Sequence, residues 1–420
     1  MSFQQGLSGL NASSKNLEII GNNVANANTY GTKVARAEFS DVYAAALNGS
    51  GANQVGIGTN LAAVAQQFTQ GSITTTSNPM DLAINGAGFF QVTDGKSPTT
   101  DTRNGQFKVD RDGYIVNNAQ QRLMGYAANA QGVVQPGQAV ALQLPTAGVS
   151  PTPSSAIAVE MNLDARLPVT APTAGNPIDF NDSATYNNAT SLTVYDAKGQ
   201  EVALTYYFQK ASTDNWNVFA TANGSPVGSV GGVLTPLTQI AFPPNGTAPT
   251  APAAPVAFDV PSTVSATGGT TLPITGITLS VKGATQFGSP FGVTNMKQNG
   301  NAAGLLTAVA VENNGVITAH YSNGQLRPAG QLEIANFRNP QGLQPIGNNA
   351  WSRTFASGDA VAGVPGDGNL GVLQSGALEE SNIDLTGELV NMITAQRIYQ
   401  ANAQTIKTQD QVLQTLVNLR

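Results

Sequence analysis

The sequence contains no cysteine and a single histidine, His320, among its 420 residues. The absence of cysteine excludes disulfides, thiolate metal sites and cysteine nucleophiles. One histidine argues against a zinc site, and any Ser-His-Asp triad would have to use it. His320 lies between Ala319 and Tyr321 in a predicted strand, with no nucleophile motif beside it. We therefore predict no enzyme activity, no metal and no cofactor.

Charged residues are also scarce, at 10% of the chain with a net charge of −6. The sequence has no basic cluster of the kind that neutralises phosphates, which argues against a nucleic-acid partner. It has no apolar run of roughly 18 residues, so we predict no membrane insertion. The first residues lack the basic and apolar segments of a secretory signal peptide. A cytoplasmic location and export without signal cleavage both remain open at this point.

Two short motifs resemble catalytic ones but have structural explanations. Residues 366–371 match GxGxxG, yet Pro365 and a loop precede them and no strand–helix–strand pattern surrounds them. Glu379 and Glu380 form a carboxylate pair. We predict that the pair lies at a helix N-terminus, where the helix dipole favours negative charge.

The first 28 residues have the pattern of an amphipathic helix. Apolar residues recur every seven positions with others beside them at helical spacing. The stripe consists of Phe3, Leu7, Leu10, Leu17, Ile20 and Val24. We expect the helix to end between Asn26 and Gly31, because Asn and Gly readily adopt the left-handed conformation that closes a helix.

The end of the chain has a second heptad pattern, with Asp384 as the predicted N-cap. Its main stripe is Leu385, Met392, Tyr399, Ile406 and Leu413. A companion stripe runs through Leu389, Gln396, Ala403, Asp410 and Val417, and further apolar residues such as Ile393 lie outside both. Two interpretations remain open, because the two helices can pair within one chain or pack against copies of themselves. The excess apolar surface favours the second.

The middle of the chain is predicted to be β-rich. Asp110–Gly113 is a turn between two short apolar runs, which is typical of a hairpin. Pro- and Thr-rich segments bracket a further β region, which we interpret as an inserted domain. The predicted organisation is a helical domain of 1–28 and 377–420, connecting segments 29–70 and 366–376, an inner β domain of 71–146 and 290–365, and an inserted outer β domain of 147–289. The predicted fold class is multi-domain and mainly β, with terminal helices paired in a coiled-coil-like manner.

Four stretches, 20–33, 81–90, 102–107 and 376–410, resemble the bacterial flagellar axial family of rod and hook proteins. The first contains Asn22, Asn23, Asn26, Thr29 and Gly31, and the third contains Arg103, Asn104 and Gly105. Any one stretch is a modest signal, but the four in this order are specific. The length and the closing residues 415–420 are similar to the hook members rather than to the shorter rod members.

This resemblance implies a structural subunit that leaves the cell through the flagellar type III export apparatus and forms a helical homopolymer outside it. The polymer would be the flexible universal joint that transmits torque from the rod to the filament. Partners implied by the resemblance are other copies of the chain, a hook cap, the distal rod and the hook–filament junction proteins. The alternatives are another axial component, such as a distal rod protein, and a phage-tail-fibre or adhesin-like protein.

Overall fold

The computed structural model describes residues 2–42, 56–129, 131–135, 137–171, 177–230, 233–265 and 268–418. The chain divides into two compact units. The terminal unit consists of Met1–Thr146, Thr307–His320 and Leu326–Arg420. The inserted unit consists of Ala147–Leu306 and Tyr321–Gln325.

The two α-helices of the described residues are both in the terminal unit: α1 is Ser2–Asn26 and α2 is Leu385–Asn418. After α1 the amide of Thr29 donates to the carbonyl of Asn26, and Gly31 has a φ of 73°. The carboxylate of Asp384 accepts a hydrogen bond from the Thr386 amide at 3.1 Å, which is the predicted N-cap role.

The first ten strands also belong to the terminal unit. They are β1 Ala35–Val42, β2 Gly58–Gln66, β3 Ile73–Thr75, β4 Leu82–Asn85, β5 Phe89–Thr93, β6 Thr100–Thr102, β7 Lys108–Val109, β8 Ile115–Val116, β9 Arg122–Ala127 and β10 Val140–Ala141. Strands β7 and β8 form the predicted hairpin. Its turn closes through the Asp110 amide on the Tyr114 carbonyl at 2.8 Å. Gly113 supplies a φ of 87° there, which favours glycine.

The predicted connecting segment 29–70 contains an antiparallel hairpin of β1 and β2, while its residues 43–55 lie outside the described residues. The hairpin packs along α1. The Gln5 side chain donates to the Gly56 carbonyl at 2.6 Å, and the Thr59 amide donates to Ser8 Oγ at 3.3 Å. This segment is therefore a folded part of the helical region.

The inserted unit is built from β11–β21 and a short 3-10 helix, Ser183–Thr185. The strands are β11 Ala156–Asn162, β12 Asn188–Tyr195, β13 Glu201–Ser212, β14 Asn215–Ala222, β15 Ser225–Val227, β16 Ser229–Val230, β17 Val233–Leu234, β18 Thr238–Ala241, β19 Val256–Val260, β20 Ile274–Ser280 and β21 Gly292–Gln298. One sheet has the order β19-β20-β11-β21, and another has the order β12-β13-β14-β15 with β18 beside β14. Their core contains Tyr206, Phe208 and Trp216.

The predicted boundary of the inserted domain at residue 289 is too early. The inserted unit continues to Leu306 because β21 pairs antiparallel with β11, from Ile157 opposite Gln298 to Asn162 opposite Gly292. Residues 290–306 therefore do not belong to the inner β domain as predicted.

Apart from Tyr321–Gln325, which belong to the inserted unit, the chain from Thr307 onward lies in the terminal unit. The strands are β22 Leu306–Val311, β23 Val316–Tyr321, β24 Leu326–Leu332, β25 Ile334–Asn336, β26 Gln344–Gly347, β27 Ala350–Ser352, β28 Val361–Gly363, β29 Val372–Ser375 and β30 Ala377–Glu379, with a 3-10 helix at Pro340–Gly342. The main path of a 13-stranded sheet is β22-β23-β24-β9-β5-β6-β27-β26. An aromatic cluster of Phe89, Phe337 and Trp351, with Phe68 against it, packs beside this sheet.

Strand β30 corrects the predicted helical domain, which was placed from residue 377 onward. Ala377, Leu378 and Glu379 are buried and pair antiparallel with β3. Likewise β29, within the predicted connecting segment 366–376, pairs with β4. The chain is thus mainly β with paired terminal helices, and the predicted fold class is confirmed.

Candidate functional site

The two terminal helices run antiparallel and approach closely where α1 has glycine. A Cβ atom added to Gly6 would lie 3.0 Å from Ile406 Cγ1, and one added to Gly9 would lie 2.9 Å from the Asn402 amide group. Glycine permits such a close approach of backbones because it has no side chain. The glycines that weaken the intrinsic helix propensity of α1 therefore serve its packing against α2.

Small and polar side chains form most of this contact. Ala395 and Ile20 are buried. The Asn402 side chain donates to Ser13 Oγ at 3.4 Å, and the Asn23 side chain donates to Glu388 at 3.1 Å. The α2 face toward α1 thus contains Glu388, Ala395 and Asn402, each one residue before a member of the predicted companion stripe.

Most residues of the predicted apolar stripes lie outside the contact between α1 and α2. Ile20 is buried, and Leu10, Leu17, Val24, Met392 and Ile406 are partly buried. The other large apolar residues of the predicted stripes are exposed, namely Phe3, Leu7, Leu385, Leu389, Tyr399, Leu413 and Val417. Ile393, which lies outside both α2 stripes, is exposed as well. We call Leu385, Leu389, Val390 and Ile393, which recur at helical spacing on the first turns of α2, the outer apolar patch. The two helices therefore pair within the chain, and α2 also has an exposed apolar surface.

A buried ionic cluster is centred on Glu379, which precedes α2 in the chain. Its carboxylate accepts from Lys33 Nζ at 2.5 Å and from Arg103 Nη1 at 2.9 Å. The Lys33 side chain is fully buried, and that of Arg103 is 6% exposed. Two cations therefore share one carboxylate. Burial lowers the pKa of both Lys33 and Arg103 below their ordinary values, and Glu379 opposes that shift in each.

Backbone groups complete the cluster. Lys33 Nζ also donates to the Thr69 carbonyl at 2.7 Å, and Arg103 Nη2 donates to the Gly86 carbonyl at 2.7 Å. The Arg103 guanidinium also lies 5.4 Å from the centre of the Phe89 ring. These partners replace much of the water that the charges lose on burial, although the buried Arg103 Nε has no hydrogen-bond partner.

Two motif glycines let the backbone close around this cluster. A Cβ on Gly105 would lie 1.6 Å from the Leu82 carbonyl oxygen, and one on Gly31 would lie 2.6 Å from Arg103 backbone. The Gly31 amide donates to the Glu379 carbonyl at 2.9 Å. All four stretches singled out in the sequence contribute to this one region.

The motif asparagines have different local roles. Asn23 is buried and exchanges two hydrogen bonds with the backbone of Ala35, at 2.8 and 3.0 Å. Asn26 donates to the carbonyl of Asn22 one turn earlier at 2.9 Å. Asn104 accepts from the Gln106 amide at 3.0 Å, which shapes the turn after Arg103.

Sequence reasoning missed the roles of Lys33 and Glu379, although both stand in the quoted stretches. Glu379 was predicted to lie at a helix N-terminus with Glu380. Instead it lies in β30 and is buried, while Glu380 is exposed and α2 begins at Leu385.

Four sequence families match the chain. They are described as flagella basal body rod protein over residues 3–33, flagellar hook protein FlgE/F/G D1 domain over 83–163, flagellar basal body protein FlaE D2 domain over 162–301, and flagellar basal body rod FlgEFG protein C-terminal over 374–419. The flagellar hook protein FlgE of Salmonella typhimurium is 38% identical, and the alignment covers 100% of both chains. That of Escherichia coli strain K12 is 37% identical with the same coverage.

The chain belongs to the flagellar hook protein family. The resemblance stated from the four sequence stretches is thereby confirmed. The crystal structure of Helicobacter pylori flagellar hook protein FlgE2 covers 73% of this chain and 99% of its own, with a TM-score of 0.49 and 14% identity.

Among the described residues of this hook-family chain, no three His, Asp or Glu side chains are grouped so that they could hold a metal ion. In the same part of the chain neither helix is long and apolar enough to cross a membrane. His320 is partly buried in β23, and its carbonyl accepts from Thr307 Oγ1 at 3.0 Å.

Proposed function

We propose that the chain is a structural subunit that self-assembles into the flagellar hook, with the outer apolar patch of α2 as a contact between copies. The observation that carries the proposal is that α2 packs against α1 on one side and leaves a second, apolar side exposed. Leu389, Val390 and Ile393 are 44%, 58% and 53% exposed. Contiguous exposed apolar residues of this kind mark interaction sites in soluble proteins.

In a homopolymer, the outer apolar patch of each subunit can contact a neighbouring subunit. Fully burying an aliphatic side chain contributes about 1.5–3 kcal/mol. Several such side chains per subunit are therefore enough to hold neighbours together without strong ion pairs. The low charge of the chain is consistent with contacts of this kind.

The family resemblance supports a particular arrangement within the polymer. We propose that the paired helices and the β1–β2 hairpin form the inner wall of a tube and that the β-rich parts lie outside it. The subunit would work outside the cell, after export without a cleaved signal peptide. The hook cap, the distal rod and the hook–filament junction proteins are its proposed further partners. In this proposal the chain is not an enzyme.

The experiment compares Ile393→Asp with Ile393→Leu in the full-length chain. Ile393 is exposed in the single chain, so both variants should keep the monomer's free energy of unfolding within about 0.5 kcal/mol of wild type. Ile393→Asp should prevent polymerisation, because an unpaired carboxylate would be buried at every contact. Ile393→Leu should polymerise normally. Normal tubes from Ile393→Asp, seen by electron microscopy, would exclude the outer apolar patch as a contact.

A further inference from the structure

Phe355 is a fully exposed aromatic residue in the β-rich part of the terminal unit. Its relative exposure is 105%, the highest of the large apolar side chains in the described part of the chain. The neighbouring aromatic residues behave differently, since Phe89, Phe337 and Trp351 are buried in one cluster. Phe355 is therefore kept out of a core that lies close to it in sequence.

The turn that carries Phe355 is closed by its own hydrogen bonds. Thr354 and Ser357 form three hydrogen bonds with each other. The Thr354 amide donates to Ser357 Oγ at 3.0 Å, Ser357 Oγ donates to the Thr354 carbonyl at 2.8 Å, and the Ser357 amide donates to Thr354 Oγ1 at 3.3 Å. Thr354 Oγ1 also accepts from the Ala356 amide at 3.1 Å. Ser357 itself is buried. The backbone on both sides of Phe355 is thus fixed while the ring points outward.

The turn is also tied to the segment around the 3-10 helix Pro340–Gly342. Thr354 Oγ1 donates to the Gly342 carbonyl at 2.5 Å, and the Asn339 side chain donates to the Ala356 carbonyl at 3.0 Å. A Cβ on Gly342 would lie 2.4 Å from the Ser357 amide nitrogen, so the two segments are in close backbone contact. Little conformational freedom remains for this turn to lose when a partner binds.

We infer that Phe355 is an anchor residue for a second copy of this chain, separate from the helical contacts. Aromatic side chains, including Phe, are enriched at protein interfaces, where each buries a large apolar area. The inference rests on the proposed function, which surrounds each subunit with other copies. Exposed side chains of opposite sign, Arg338 and Asp359, lie on the flanking segments, so these segments carry no net charge of one sign that would repel another copy.

The test measures the critical concentration for polymerisation of the full-length chain. Phe355→Ala should raise it at least tenfold, while the thermal midpoint of the monomer stays unchanged because the ring is fully exposed. Ala356→Ser, at the adjacent exposed position of the same turn, is the matched control and should polymerise as wild type does. Phe355→Trp should retain assembly, since it keeps an aromatic anchor.

A second measurement identifies the partner. Benzoylphenylalanine in place of Phe355, irradiated in hooks on cells, should give a covalent product of twice the subunit mass that contains only this chain. Unchanged assembly of Phe355→Ala, or a product containing a different protein, would overturn the inference and leave the proposed function intact. A wild-type chain that forms no polymer at all would overturn both.

Discussion

Replacing Glu379 with Gln should destabilise the terminal unit far more than any single removal of a cation from the same cluster. The substitution keeps the shape of the side chain but leaves Lys33 and Arg103, fully buried and 6% exposed, without a counter-charge. It also turns amide hydrogens toward one of the two donors. Breaking a buried ion pair from one side costs about 3–5 kcal/mol.

Lys33→Met is the informative comparison. It leaves the Arg103–Glu379 pair balanced at 2.9 Å, and the Thr69 carbonyl still accepts from the Asn382 side chain at 3.2 Å. The loss of stability should therefore be clearly smaller than for Glu379→Gln. Glu380→Gln, at an exposed neighbouring carboxylate, should stay within about 0.5 kcal/mol of wild type.

The assay is urea unfolding of the monomer, followed by circular dichroism and fitted for the free energy of unfolding. For a unit of this size, about 3–5 kcal/mol corresponds to a fall in Tm of roughly 6–20 °C. The reasoning would be refuted if Lys33→Met cost as much as Glu379→Gln. It would equally be refuted if Glu379→Gln lay within about 1 kcal/mol of wild type.

Two further predictions concern the same region and α1. Burial lowers the pKa of Lys33, so the unfolded chain holds that proton more tightly up to about pH 10.4. Wild-type stability relative to Lys33→Met should consequently rise with pH toward that value, and a flat difference in unfolding free energy between pH 8 and 10.5 would contradict this. Gly105→Ala should prevent native packing, because its Cβ would lie 1.6 Å from the Leu82 carbonyl oxygen. Gly21→Ala, with nothing within 4 Å, should instead stabilise α1 by up to about 1 kcal/mol, and thermal melts distinguish the two.

Local patterns predicted the elements well where one residue decides the geometry. The Asp110–Gly113 turn and the Asp384 cap follow from the chemistry of single side chains, and both are present. The heptad pattern predicted two helices but placed the companion stripe of α2 one residue too late, whereas Ile406 of the main stripe does lie against α1. Periodicity locates apolar side chains, whereas this contact is decided by Gly6 and Gly9 across the interface, where large side chains have no room.

The ionic cluster was beyond reach of such patterns. Lys33, Arg103 and Glu379 come from three separate stretches, and nothing in their spacing shows that they meet. The family resemblance identified these stretches, but it did not show that their charged residues form one cluster. The sequence also gives no indication that Phe355 is exposed, because an aromatic residue in an apolar segment is normally part of a core.

The position of Glu379 near the end of the chain determines when the ionic cluster can form. During synthesis, Lys33 and Arg103 are made long before Glu379, which lies 346 residues after Lys33. Until then both cations favour water over burial, and Gly31 lacks the Glu379 carbonyl that its amide will meet. The terminal unit can therefore close only when nearly the whole polypeptide is present. A chain that ends before β30 lacks the carboxylate that pairs with both buried cations.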